Sequence, residues 1–181
     1  MEQKEYQANF DEKKLEAVAA SAKALVDAGL VENTKLRETT IPTRMLNIAL
    51  RKLHDTGSSS RGTGKFEGHP LWSKEAEKIA AQLNYKKGKY RKYLAHEHMV
   101  PVNVVCDKLL GIEKDKPLDD FYKVIREFSA VAIVSKEEDK LLDKFKNDMP
   151  DKWKSDVFAR YRAVGLFDSL KTIDESWKQK P

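Results

Sequence analysis

The sequence predicts a mainly α fold: a helical domain with a small embedded ββα-metal-like element of two or three short strands. Three observations carry the helical part of that expectation. Apolar residues recur at helical spacing through most of the chain, and only one short run, residues 130–134, is both apolar and β-branched. Four of the eight glycines fall between His54 and Leu71, where the periodicity stops.

Taken in order, residues 1–9 are polar and read as a frayed end. Over residues 11–28, Leu15, Val18, Ala19, Ala22, Leu25 and Val26 follow i, i+3, i+4, i+7 spacing, with Gly29 as the stop. After a connection over 30–40, Pro42 suits a first helical turn, and Met45, Leu46, Ala49, Leu50 and Leu53 form the next stripe. Trp72 leads into a helix capped by Ser73, with Ala76, Ile79, Ala80 and Leu83 inward. Beyond Gly88 a short extended segment is expected, with Leu94, His96, His98 and Val100 on one face and Tyr93, Ala95, Glu97 and Met99 on the other. Pro101 opens a helix that buries Val102, Val105, Cys106, Leu109 and Leu110 and ends at Gly111. The next helix spans about 118–128 and turns Phe121, Val124, Ile125 and Phe128 inward. Strand 130–134 leads to Ser135, whose capping-box partner is Glu138, and Leu141, Leu142 and Phe145 supply that helix's inner face. Residues 151–164 carry Trp153, Val157, Phe158, Tyr161 and Val164, and a last helical segment holds Leu170, Ile173 and Trp177. The expected organisation is an N-terminal helical part (1–53), a flexible Gly/Ser-rich loop (54–71) and a helical region (72–181), together one compact domain.

Composition excludes several classes. Charged residues make up 35%, and no run approaches the roughly 18 apolar residues of a membrane span. The start, M-E-Q-K-E-Y-Q, has no apolar leader segment, so a cytoplasmic protein without a membrane partner is expected. The single cysteine, Cys106, excludes an internal disulfide framework and a cysteine-rich zinc site, and its place on an apolar stripe reads as packing. The string G-T-G-K at 62–65 lacks the spacing of a phosphate loop and has no apolar strand before it. Arg61 and Lys65 nevertheless give this loop two cations able to clamp a nucleic-acid backbone.

The net charge is +5 and the pI about 9.1. Lys86, Lys87, Lys89, Arg91 and Lys92 put five positive charges within seven residues, interleaved with Tyr85, Tyr90 and Tyr93. Such a run neutralises phosphates while the rings offer stacking or packing surface; a solvated turn that discourages edge pairing is the plainer alternative. Directly after it comes Y-R-K-Y-L-A-H-E-H-M-V-P, residues 90–101, with two of the four histidines around Glu97. The spacing is not H-E-x-x-H, and two histidines alone do not complete a metal site. Glu97 and His98 therefore read as residues with separate tasks.

Glu97-His98-Met99-Val100-Pro101, followed later by strand 130–134 and the helix from Ser135, resembles the HNH (His-Me finger, ββα-metal) endonuclease superfamily over about residues 90–147, with a helical insert between the halves. The resemblance implies His98 as general base, with Glu97 and Asp139 as ligands of a divalent ion, Mg²⁺ or alternatively Mn²⁺. It implies hydrolysis of phosphodiester bonds, with DNA expected over RNA as the partner polymer. His96 would be a substrate contact or a neighbour of the ion. Glu138 competes with Asp139 for the second ligand position, but the capping box already gives it a role. Two other readings stand beside this one: a non-catalytic nucleic-acid-binding or regulatory protein using the 86–92 patch, and a helical protein-interaction module. No dimerisation signature is present.

Overall fold

The computed structural model describes residues 11–30, 41–55, 66 and 69–173, save for the side chains of Ile41, Pro42 and Lys87. The expectations for 1–9, for 31–40, for Arg61 and Lys65 with most of their loop, and for Trp177 lie outside the described residues. The rest forms α1 (Glu12–Asp27), α2 (Ile41–Leu53), β1 (Leu71–Ser73), α3 (Lys74–Gln82), α4 (Tyr90–Tyr93), β2 (Leu94–His98), α5 (Val102–Leu110), α6 (Leu118–Phe128), β3 (Val131–Ser135), α7 (Lys136–Leu142), α8 (Ala159–Ala163) and β4 (Leu170–Thr172). The mainly α expectation holds, with the small sheet embedded among helices.

Helix ends follow the local chemistry. Asp11 accepts from the Lys13 and Lys14 amides at the start of α1, and Ser73 accepts from the Ala76 amide at the start of α3. Pro101 and Pro117 precede α5 and α6, where no backbone donor is lost. At α7 the Ser135–Glu138 capping box is complete. The apolar stripes of α1, α2, α5 and α6 close on one another around Leu15, Leu50, Val105, Leu109, Phe121 and Ile125. Two predicted inward residues point out instead: Met45 is 64% exposed and Leu141 52%. Each stripe is narrower than its apolar residues suggested.

The sheet has the order β2-β3-β1-β4. β2 pairs antiparallel with β3, bringing His96 opposite Ile133 and His98 opposite Val131. β1 runs parallel to β3 and antiparallel to β4. Alternation divides β2 cleanly. Leu94, His96 and His98 share the face of Trp72 and Ile133, where α3 packs; Ala95 and Glu97 share the face of Ala132 and Val134, where Leu142, Phe158 and Tyr161 pack.

Four strands replace the two or three expected. The lead-in Leu71–Ser73 is β1, and Leu170–Thr172, expected to be helical, is β4. Three residues are too few to show an alternation; these strands exist because they pair with each other and, through Trp72, with β3. Helix forms at Ala159–Ala163 but not over 151–158, where Lys152, Lys154 and Ser155 adopt positive φ of 58°, 45° and 65°. The segment after Gly88 is likewise divided: a helical turn, Tyr90–Tyr93, precedes the strand.

Candidate active site

β2 is an edge strand, and its C-terminal end opens into a cleft of about 220 Å³. Glu97, His98 and Asp139 all line it, together with Arg51, Asp143, Lys146, Asn147 and Arg160. Three residues singled out from the sequence, about forty positions apart at their extremes, thus share one cavity. The local cause is the antiparallel pairing of β2 with β3. It sets Leu94, at the start of β2, opposite Ser135, and α7, which packs on both strands, then carries Asp139 back toward Glu97 near the strand's end. The capping box then holds Glu138 inward, where its carboxylate accepts from the Ser135 amide at 2.8 Å and the Ser73 hydroxyl at 2.5 Å. Glu138 thereby bridges the first turns of α3 and α7, and the next residue, Asp139, faces the cleft.

Glu97 is held by Arg160, whose Nη1 lies 2.7 Å from Oε1. Arg160 is only 2% exposed, and it also donates to the His98 carbonyl at 2.8 Å and the Leu142 carbonyl at 3.1 Å. One guanidinium from α8 therefore ties the end of β2 to the end of α7. The Glu97 and Asp139 carboxyls lie within hydrogen-bonding reach of each other. Burial pushes Glu97 up to about 7; Arg160 opposes this and the Asp139 charge adds to it. Asp139 is raised as well, first by burial and then by Asp143. The Tyr161 hydroxyl, fully buried behind this pair, is hydrogen-bonded to no described residue. Its ionisation is pushed well above the usual phenol range by burial and then by the Glu97 charge.

On the other face of β2 all four histidines of the chain gather. Ring centroids of His96 and His98 are 5.6 Å apart, His69 and His96 4.6 Å, and His54 and His98 5.7 Å. His54, at the end of α2, meets the Ser129 hydroxyl through Nε2 at 2.9 Å. Burial, then the neighbouring His69, lowers His54 to about 3; burial, then His54 and Arg51, lowers His98 well below the ordinary imidazole value. Both rings are neutral at pH 7. His96 packs against His69 inside this group.

A divalent ion would find two hard oxygen donors in contact, Glu97 and Asp139, with Asp143 on the same cleft. Two carboxylates completed by water and substrate phosphate are a usual Mg²⁺ environment, so the residues fit the group. Among the described residues no set of three or more His, Cys, Asp or Glu side chains is gathered to hold a metal, the histidine cluster included.

The 86–92 patch lies apart from the cleft. It precedes the start of β2, and the cleft lies at its end, a separation along the strand of about 13 Å. Lys86, Lys89, Arg91 and Lys92 are exposed there. Of the interleaved rings, Tyr90 is core, edge-on to Phe66 and Trp72, so only Tyr93 and part of Tyr85 offer surface.

The sequence reading missed Arg51, His54, His69, Asp143, Lys146 and Arg160. Arg160 left a trace: it falls three positions after Val157 and four before Val164, a charge on an otherwise apolar stripe. Arg51, Asp143 and Lys146 are exposed, His54 and His69 are buried at a helix end and in a loop, and none of the five carries a local signal. Among the described residues no helix is long and apolar enough to cross a membrane. No protein-family model, curated protein or solved structure matches this chain.

Proposed function

We propose that the chain is a metal-dependent endonuclease that hydrolyses phosphodiester bonds in nucleic acid, of the HNH kind, with its reaction in the cleft at the end of β2. The single observation that carries the reading is the contact between the Glu97 and Asp139 carboxyls beside His98 in one open cleft. Two neighbouring acids of raised proton affinity are poised to exchange a proton for a cation. A divalent ion bound there would supply positive charge beside the departing oxygen of the phosphodiester.

The chain's own residues divide the remaining work. His98 is neutral at pH 7, so its ring can accept a proton from an attacking water. Arg160 fixes the orientation of Glu97 and, through the His98 carbonyl, the backbone that presents the imidazole. Arg51 and Lys146 bring positive charge to a cleft whose substrate would be a polyanion. DNA is the first substrate to try.

Plasmid nicking with Mg²⁺ or Mn²⁺, with and without EDTA, tests this against His98→Ala. The expected result is cleavage that EDTA abolishes and the substitution lowers by about 100-fold or more. Nucleic-acid binding without cleavage under any divalent metal would replace the reading with a binding protein.

A further inference from the structure

A second groove of about 540 Å³ lies between α2 and α5, and Asn147 lines both it and the cleft. Across their junction runs a fixed polar chain. Arg51 donates through Nε to Asn47 Oδ1 at 2.7 Å, and Asn47 donates through Nδ2 to Asn103 Oδ1 at 2.7 Å. Asn47 and Asn103 line the second groove while Arg51 lines the cleft. α2 thus holds one exposed arginine in a set orientation by bonding it sideways to α5.

Arg51 and Lys146 make no ion pair with a carboxylate among the described residues, although Glu97, Asp139 and Asp143 line the same cleft. Arg160 is the cation that the acids take. Arg51 is close enough to His98 to depress that imidazole. With Nε engaged, the terminal amino groups of Arg51 remain for the paired donation that guanidinium makes to phosphate. Lys146 supplies a point charge from the segment after α7.

We infer that Arg51 and Lys146 form the phosphate clamp of the cleft, and that the Asn47–Asn103 bridge directs the bound strand along the groove between α2 and α5, not across the 86–92 patch. This rests on the nuclease reading and names its substrate path. Asp107 and Asp148 also line the second groove, so the strand runs along the Arg51 and Asn47 wall with its phosphates away from those acids. The predicted patch is the only dense run of positive charge in the sequence. The path assigned here instead uses Arg51 and Lys146, which the fold brings to one opening, and Arg44 lines the groove beyond.

The test is fluorescence anisotropy with labelled DNA oligonucleotides, single- and double-stranded, in EDTA so that no cleavage intervenes. The proteins are wild type, Arg51→Gln, Lys146→Gln, Asn47→Leu and the triple variant K89Q/R91Q/K92Q, each checked for an unchanged melting curve. Arg51→Gln and Lys146→Gln should each weaken binding by about 5- to 10-fold and lower the salt slope by about one. Asn47→Leu should weaken binding without changing the slope, since it removes orientation and no charge. The triple variant should bind within about 2-fold of wild type. Wild-type affinity in both cleft variants, or loss of binding confined to the triple variant, overturns the clamp. If these results accompany intact metal-dependent nicking, the nuclease reading survives and only the assigned path falls. Wild type that binds no oligonucleotide overturns the clamp, and nicking with Mg²⁺ or Mn²⁺ then decides the nuclease reading by itself.

Discussion

The two faces of β2 carry the same kind of residue and treat protons in opposite ways. On one, Glu97 meets Asp139 and Arg160, and burial holds its proton on up to about 7. On the other, His98 meets the rings of His54 and His96, and burial keeps its proton off. One physical cause, loss of water around a charge, produces both shifts. Neutrality means a bound proton for an acid and a lost one for a base. The end of the strand thus carries, on its two faces, an acid whose proton affinity burial raises and an imidazole whose affinity burial lowers.

The strongest way to break this arrangement is at Arg160. Arg160→Met leaves Glu97 without its cation and two buried carbonyls without their donor. A loss of about 3 kcal/mol or more in urea unfolding is expected. Lysine at 160 should recover part of it, since it restores the charge but not the branching that reaches three acceptors. Next in size is the loss of about 100-fold or more in nicking for His98→Ala, measured at matched folded protein.

The opposed proton affinities sharpen into a pH prediction. Glu97 has a folded value of about 7 against an ordinary 4.5, so its contribution to stability is complete below 4.5 and is lost as pH rises through 7. That loss is on the order of 3 kcal/mol, from 2.5 units at about 1.4 kcal/mol each. His54 runs the other way: lowered from 6.5 to about 3, it contributes stability above 6.5 that is lost as pH falls. At pH 5 the His54 loss amounts to about 2 kcal/mol, from 1.5 units. Between pH 4.5 and 6.5 these two contributions oppose each other, and His98, lowered as well, adds to the His54 side. Glu97→Gln should remove the fall in unfolding free energy between pH 6.5 and 7, and His54→Gln should lessen the fall below pH 4.5 with His98 still contributing; a variant that changes the other end would show that the two faces are not the source. Divalent cations should bind more tightly as pH rises through 7, which calorimetry with Mn²⁺ can follow. The smallest effect belongs to the exposed patch, where Lys89→Gln or Lys92→Gln should change stability by no more than about 0.5 kcal/mol.

Helices were the legible part of the fold because their information is local. Asp11, Ser73 and Ser135 cap where their neighbours' amides require it, and the stripe through Leu15, Val18, Ala19 and Ala22 repeats within its own helix. The helical turn at Tyr90–Tyr93 and the short strands β1 and β4 were not legible, since three or four residues hold no period. Residues 151–158 misled for a related reason: their apolar spacing is helical, but the backbone there turns through positive φ. Within the cleft, Glu97 and His98 stood out as neighbours before a Val-Pro pair, whereas Asp139 was named only through the family resemblance. Arg51 had no such mark.

By itself, then, the sequence determined which stretches become helices, where most of them start, and that Glu97 and His98 would leave a strand on opposite sides. Those outcomes follow from φ preferences, cap chemistry and a period of two or 3.6, all acting within a few residues. Only the tertiary structure decided that Arg160 would reach the His98 carbonyl from 62 positions away, that four histidines would gather in one cluster, and which positive charges would line the cleft. Such contacts are set by how buried faces close over one another, and no local pattern records which distant side chain fills the space.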